Sequence, residues 1–126
     1  MKMKNRIPKI ILKWVSLIPE GNPKEQASLY SKNAVLLATF EPMLLGRNQI
    51  FGYMVDFLDK DNMSCQIMKN VTQIDEDKDT MIASGIYLFT FDDEDGDRQE
   101  VLARYTYVIN EGRIINHHSS VMPEND

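Results

Sequence analysis

The second half of the chain contains four consecutive segments of about ten residues that are rich in β-branched and aromatic side chains. Polar turns with the sequences DEDKD, DDEDGD and NEG separate them. Apolar segments joined by such turns are typical of neighbouring antiparallel strands, so this half predicts a four-stranded meander. Its strands are MSCQIMKNVTQI (63–74), TMIASGIYLFTF (80–91), EVLARYTYVI (100–109) and RIINHHSSVM (113–122).

The beginning of the chain predicts two helices. Apolar residues recur at i, i+3, i+4 and i+7 over 9–18, which is the spacing of one buried helix face. They are Ile11, Trp14, Val15 and Ile18. The prolines and glycine of IPEGNP end this helix. Asn22 is a typical N-cap, and Pro23 at the first helical position opens a second helix that runs to about Tyr30.

A strand and a third helix are predicted next. AVLLAT (34–39) is a compact apolar run typical of a buried strand, and FEPMLLG (40–46) is a loop. The third helix begins after Gly46 and ends near Lys60. Its apolar side is formed by Ile50, Phe51, Met54, Val55 and Leu58.

Helices followed by a meander predict an α+β fold. We expect a cone-shaped, curved antiparallel sheet with the three helices of the N-terminal half packed on one face. The length suits one domain over 1–126, with a core of about 10–124.

Composition excludes several classes of partner. The chain has 126 residues, of which 43% are hydrophobic, and a net charge of −5. Because binding to nucleic acid requires a basic face, nucleic acid is not an expected partner. No apolar segment is long enough to span a membrane, so we expect a soluble, cytoplasmic protein without a membrane partner.

A small basic cluster precedes the apolar run IILKWVSLI and faintly resembles the start of a signal peptide. The cluster consists of Lys2, Lys4 and Arg6. Lys13 interrupts the run and no small-residue cleavage site follows it, so a signal peptide is not predicted.

The sequence predicts neither a cofactor nor a metal site. The single cysteine, Cys65, excludes an internal disulfide and any multi-cysteine site. The stretch FDDEDGDRQEVL resembles a calcium loop, but Phe91 and Leu102 stand at its first and twelfth positions, where oxygen ligands are required.

Several stretches resemble a known family. They are AVLLATFEP (34–42), GRNQIFGYMVDFL (46–58), GIYLFTF (85–91), ARYTYV (103–108) and INHHSSVMPE (115–124). The order of elements looks like the cone fold of nuclear transport factor two-like (SnoaL-like) proteins. More narrowly, these stretches are similar to bacterial proteins related to the calcium/calmodulin-dependent protein kinase II association domain.

The resemblance implies self-association and a pocket. Members of the family associate through the open face of the sheet as dimers or larger rings, so a second copy of this chain is the expected partner. In the kinase domain a pocket between sheet and helices suits a carboxylate. By position, Arg104 matches one of its arginines and Tyr53 matches a tyrosine of the third helix. Tyr87 and Ser119 stand where the kinase domain has two further arginines.

The two histidines of the chain, His117 and His118, are adjacent in the last predicted strand. Successive side chains of a strand point to opposite faces, so both cannot bind one metal ion. Alternation places Ile115 and Ser119 on the face of His117, and Ser120 on the face of His118. The resemblance favours His117 through Ser119 and His118 through the terminal motif. Because Ser119 shares its orientation with Arg104 in that comparison, we favour the face that carries Ser119. Either histidine could line the pocket, act as a general base or have a structural role.

Arg104 is the central residue of the predicted site. An arginine in a mostly buried strand needs a partner, because an unpaired buried charge is costly. One interpretation is an internal salt bridge to Glu41 or Asp56. The other is a bidentate clamp for a carboxylate ligand. We expect Tyr105 and Tyr107, on the opposite face of the strand, to cover a subunit contact.

These observations support two hypotheses. The first is a non-enzymatic association domain that oligomerises through its sheet and binds a small molecule, anionic or aromatic, in its pocket. The pocket residues would be Arg104, Tyr87, Tyr53, His117, His118 and Ser119, although core packing also explains the tyrosines. The alternative is a small SnoaL-like enzyme of the cyclase or isomerase type, with His117 or His118 as general base. Neither hypothesis requires a cofactor.

Overall fold

The computed structural model describes residues 2–39, 41 and 43–123. Its helices are α1 (Lys9–Leu17), α2 (Pro23–Ser28) and α3 (Arg47–Phe57), with 3-10 turns at Ile18–Glu20 and Glu76–Lys78. Its strands are β1 (Lys2–Lys4), β2 (Tyr30–Leu37), β3 (Leu44–Leu45), β4 (Asp61–Asp75), β5 (Thr80–Asp92), β6 (Arg98–Asn110) and β7 (Arg113–Val121). The predicted α+β fold is confirmed. Phe40, Pro42 and Glu124, which belong to the stretches that resemble the family, lie outside the described residues.

The sheet has seven strands in the order β1-β4-β5-β6-β7-β2-β3. The predicted meander is present, since β4, β5, β6 and β7 pair antiparallel in sequence order. The sheet is not antiparallel throughout, because β2 runs parallel to β7. The edge strands β1 and β3 were not predicted, because segments of three and two residues show no periodic pattern.

Local chemistry explains where the helices begin. The Asn22 side chain accepts a hydrogen bond from the Glu25 backbone N–H at 3.1 Å, which caps α2 as predicted. Gly46 precedes α3 with a φ of +86°, a conformation that favours glycine. Its N–H donates to the Ala34 carbonyl at 2.8 Å and thereby ties the start of α3 to β2.

The helices cover one face of the sheet, which we call the core face. Helix α1 and the turn after it bury the predicted residues Ile11, Trp14 and Ile18 against this face, whereas the predicted Val15 is only half-buried. Helix α3 buries Ile50, Met54, Phe57 and Leu58, whereas Phe51 and Val55 are exposed. The predicted apolar side of α3 is therefore confirmed for Ile50, Met54 and Leu58 and was wrong for Phe51 and Val55, which point outward while Phe57 takes their place in the core.

The other side of the sheet, which we call the open face, is not covered by any helix of the described chain. Strand β6 shows the division: Ala103, Tyr105, Tyr107 and Ile109 are buried, and the residues between them are half-buried or exposed. None of the described helices combines the length and apolar character needed to cross a bilayer.

Candidate functional site

Four of the six predicted pocket residues meet on the core face. Tyr87 lies on β5, and His117 and Ser119 lie on β7, all three buried. Tyr53 of α3 is half-buried and lines the same small space. The alternation within β7 explains why His117 and Ser119 point inward together.

His117 lies at the centre of a buried hydrogen-bonded chain. On one side, its Nδ1 atom is 2.8 Å from the hydroxyl oxygen of Tyr30. That hydroxyl oxygen accepts a hydrogen bond from the Trp14 indole N–H at 3.0 Å. Trp14 lies on α1 and Tyr30 lies on β2. This half of the hydrogen-bonded chain therefore links the first helix to the sheet.

The other half of the hydrogen-bonded chain runs from His117 towards the loop after β2. The Nε2 atom of His117 is 3.2 Å from the Tyr87 hydroxyl oxygen. The Tyr87 hydroxyl donates to Ser119 Oγ at 2.6 Å. Ser119 Oγ is in turn 2.6 Å from Thr39 Oγ1. Every link lies within ordinary hydrogen-bond distance.

The proton count assigns one tautomer to His117. Since the single hydroxyl proton of Tyr87 is donated to Ser119, the Tyr87 oxygen must accept a proton from Nε2 of His117. Nδ1 is then unprotonated and accepts from Tyr30, whose oxygen receives the Trp14 N–H. All the bonds from Trp14 to Ser119 therefore point in one direction, with imidazole in its neutral Nε2–H form.

Burial explains why this imidazole stays neutral. Loss of solvation, together with a smaller electrostatic effect of the neighbouring His118 in the same direction, lowers the pKa of His117 from its ordinary 6.5 to about 3. The pKa of the Tyr87 hydroxyl is raised well above its ordinary value by burial, although its bond to Ser119 opposes the change. Neither group ionises near neutral pH.

The predicted hollow is filled by side chains. The space enclosed by this group is about 20 Å³, which approximates the room that one water molecule needs. Trp14, Met54 and Phe57 occupy the region where a ligand was expected. Small-molecule sites have volumes of about 300 Å³ or more. The cluster therefore acts as a hydrogen-bonded core.

Arg104 does not take part in this cluster, and its predicted position in the pocket was wrong. It is exposed on the open face, where it pairs across the strands with Ile86 and Ser120. No salt bridge joins it to Glu41 or Asp56 in the described chain. The apolar residues on both sides of β6 concealed which face the helices cover.

The environment of the two tyrosines next to Arg104 on β6 also differs from the prediction. Tyr105 and Tyr107 were expected at a subunit contact, but both are buried on the core face. The Tyr105 hydroxyl donates to Asn70 Oδ1 at 2.7 Å, while the Tyr107 hydroxyl has no hydrogen-bond partner among the described residues.

His118 lies on the open face. It is exposed and pairs with Thr106 of β6 and Leu37 of β2. The histidine on the core face is therefore His117. The choice between them had relied on Arg104 sharing the face of Ser119, and that premise was wrong, since Ser119 pairs with Tyr105.

A β-bulge changes one further assignment on β7. Val108 pairs with Asn116, but the next residue, Ile109, pairs with Ile114, so Ile115 is the extra residue. The bulge turns Ile114 into the core, where it is fully buried, and leaves Ile115 exposed. Ile115 was predicted to share the face of His117, which the bulge prevents.

Comparison with known proteins identifies the family. The profile of the calcium/calmodulin dependent protein kinase II association domain matches residues 3–123. The chain belongs to this family. A Xanthomonas campestris protein assigned to the same domain is 36% identical to this association domain, with a TM-score of 0.84. The alignment covers 92% of this chain and 85% of that chain.

More distant structures share the fold of this association domain. An NTF2-like protein from Novosphingobium aromaticivorans, described with a cystatin-like fold, is 11% identical over 93% of this chain and 80% of that chain, with a TM-score of 0.77. An NTF2-like family protein from Streptomyces avermitilis, assigned as a dehydratase, is 12% identical over 92% of this chain and 93% of that chain, with a TM-score of 0.81. At these identities the likeness shows the fold alone. No curated protein matches the sequence.

Three residues of the cluster, Trp14, Tyr30 and Thr39, were missed as site residues. Trp14 was assigned only to the buried face of α1, and Tyr30 only to the end of α2. Both were detectable as aromatic residues with a polar atom, which usually finds a partner when buried. Tyr30, which accepts from Trp14, bonds in turn to His117, and His117 lies 87 residues further along the sequence of this association domain, a separation that local patterns do not bridge. The described residues hold no group of three or more His, Cys, Asp or Glu side chains arranged to bind a metal.

Proposed function

We propose that this association domain binds a second copy of itself through the open face of its sheet, to form a homodimer or a larger ring. The observation that carries the proposal is the apolar character of that face. Large contiguous apolar patches are uncommon on soluble monomers and mark interaction sites. The apolar members of the face are Val35, Leu37, Val71, Ile82, Ile86, Leu88, Leu102 and Val108.

Cross-strand pairing places several of these apolar side chains side by side. Leu88 of β5 pairs with Leu102 of β6, and Ile82 pairs with Val108. Leu102 retains 44% of its exposure in the isolated chain. Burying such side chains against another copy stabilises the assembly by about 25 cal/mol for each Å² of apolar surface removed from water.

The polar residues that lie between the apolar side chains of the open face are also typical of a protein interface. Arg104 and His118 lie within the patch, beside Ile86 and Leu37 respectively, and arginine is enriched at protein interfaces. A two-fold contact brings the same patch from each copy together. Each polar side chain that the contact buries therefore needs a hydrogen-bond partner on the other copy. We infer that Arg104 donates to hydroxyl or carbonyl oxygens across this contact.

The size of the assembly tests the proposal. Light scattering after size exclusion should give a mass of two or more chains for the wild type. Leu102→Asp, which places a carboxylate in the patch, should shift the protein towards the monomer. Leu12→Asp is the matched control, because Leu12 has similar exposure at 49% but lies on α1, away from the open face. A monomeric wild type, or an unchanged mass for Leu102→Asp, would contradict the proposal.

Ligand binding at the His117 cluster is not part of this proposal, because about 20 Å³ does not accommodate a small organic molecule. The enzymatic alternative also has little support there. A general base works best with a pKa near the operating pH, whereas His117 has a pKa of about 3. Both of its ring nitrogens bond to tyrosine hydroxyls rather than to a carboxylate.

A further inference from the structure

A second, larger cavity lies at the other end of the core face. It is a cleft of about 650 Å³ between the first turns of α1 and the ends of β4, β5 and β6. Ile74, Met81 and Ile109 form its floor, and Ile10 and Leu29 form its wall. The volume and the apolar lining are both typical of sites for small molecules.

Four cations surround the mouth of this cleft. They are Lys4, Arg6, Lys9 and Lys13, and all four are exposed. No salt bridge joins any of them to a carboxylate in the described chain, and no Asp or Glu lines the cleft. The whole chain has a net charge of −5, so this positive charge is a local feature of the cleft. It favours the binding of an anion there.

The rim is held in place by the sheet. Strand β1 pairs with β4, which places Lys4 opposite Thr72. Thr72 Oγ1 donates to the Arg6 carbonyl at 2.8 Å, and Asn70 Nδ2 donates to the same oxygen at 3.3 Å. The backbone that carries Lys4 and Arg6 is therefore fixed at the edge of the cleft.

The start of α1 adds to the positive potential. Pro8 and Lys9 line the cleft, and α1 begins there with no capping side chain and no acidic residue in its first turn. The first N–H groups of a helix have no partner within it, and the helix dipole places partial positive charge at that end. An anion at the mouth would meet these groups as well as the four side chains.

We propose that this cleft, with its floor of Ile74, Met81 and Ile109 and its four-cation rim, binds a single-chain amphipathic anion such as a medium-chain carboxylate. The aliphatic tail lies on the apolar floor and the carboxylate lies among the cations. A small polar anion would leave the floor empty, and a neutral chain would leave the rim unpaired. The proposal does not depend on self-association through the open face.

Titration with decanoate, at concentrations at which it forms no micelles, tests this site. Calorimetry on the full chain should show saturable binding of one decanoate, weakened by added salt. Acetate, which lacks the tail, and decyltrimethylammonium, which reverses the charge, should bind at least about tenfold more weakly. Methyl resonances of Met81 and Ile10 should shift on titration, while those of Met54, beside the His117 cluster, should not.

Charge-reversal variants test whether the cations of the rim contribute to decanoate binding. Lys9→Glu combined with Lys13→Glu should weaken decanoate about tenfold or more, since two exposed cations are replaced by anions. Lys24→Glu combined with Lys32→Glu has the same change in net charge on exposed residues away from the cleft, and should bind like the wild type. Thermal unfolding of each variant checks that the fold is intact.

Three results would overturn the proposal. They are the absence of saturable decanoate binding, equal weakening in both double variants, and methyl shifts confined to regions outside the cleft. Sedimentation with phosphatidylglycerol vesicles separates a free amphipath from a lipid surface. Capture by vesicles without saturable decanoate binding would assign the basic residues to a membrane contact and reject the small-molecule site.

Discussion

The imidazole of His117 lies flat against the phenol ring of Tyr107, with ring centroids 3.8 Å apart and planes inclined by 16°. The two residues are also directly paired across β6 and β7. The Trp14 ring meets the same imidazole edge-on at 5.5 Å. Aromatic rings therefore surround the histidine, exclude water and hold it in its neutral form.

Stability should depend on pH through His117. Its pKa is about 3 in the folded protein against 6.5 ordinarily, so between these values the unfolded chain binds a proton that the native chain does not. This contribution to the free energy of unfolding is fully present above pH 6.5 and is lost as the pH falls towards 3, with a total change on the order of 5 kcal/mol.

Urea unfolding between about pH 4 and 7 measures this dependence. His117→Gln should flatten the slope relative to the wild type, because its side chain does not titrate. His118→Gln is the control and should keep the slope, since His118 is exposed. Equal slopes for the wild type and His117→Gln would show that other groups cause the dependence.

Tyr87 and Tyr107, which are both buried, should respond differently to loss of their hydroxyls. Tyr87→Phe removes the bonds to Ser119 and His117 and should cost about 1–3 kcal/mol of the free energy of unfolding. Tyr107→Phe removes a buried hydroxyl with no partner in the described chain, so stability should change little or increase. Urea denaturation compares them, and equal losses would argue against the hydrogen-bonded chain.

Two glycines form a matched pair for substitution by alanine. At Gly85 a Cβ atom would collide with the Lys69 carbonyl oxygen and lie 2.6 Å from the Tyr105 hydroxyl oxygen, so Gly85→Ala should destabilise by about 1–3 kcal/mol or more. At Gly52, inside α3, nothing lies within 4 Å, and Gly52→Ala should stabilise by about 0.5–1 kcal/mol. Thermal unfolding of both variants measures the difference, and a tolerated Gly85→Ala would mean that β4 and β5 can move apart locally.

Cys65 should be unreactive in the native protein. Burial raises the pKa of its thiol to about 12, so very little thiolate is present at mildly alkaline pH. Alkylation by iodoacetamide should therefore be slow in buffer and fast in denaturant, as followed by mass spectrometry. Equal rates in both conditions would mean that β4 opens readily.

Local patterns predicted most of the fold because they depend on residues near one another in sequence. Segments rich in β-branched and aromatic side chains, bounded by polar turns, predicted β4, β5, β6 and β7, and the capping residue Asn22 predicted the start of α2. Each of these signals acts over a few residues. The edge strands and the parallel pairing of β2 with β7 depend on distant segments and left no local pattern.

Part of the candidate site followed from local sequence patterns, and the rest depended on contacts between distant segments. The sequence by itself determined that Arg104 and Tyr105 lie on opposite faces of β6, because side chains alternate in any strand. Only the tertiary structure decided that the helices cover the face of Tyr105, that a bulge at Ile115 shifts the register of β7, and that Trp14 and Tyr30 reach His117. The physical reason is that alternation is a property of one strand, whereas burial depends on which other segments pack against each face.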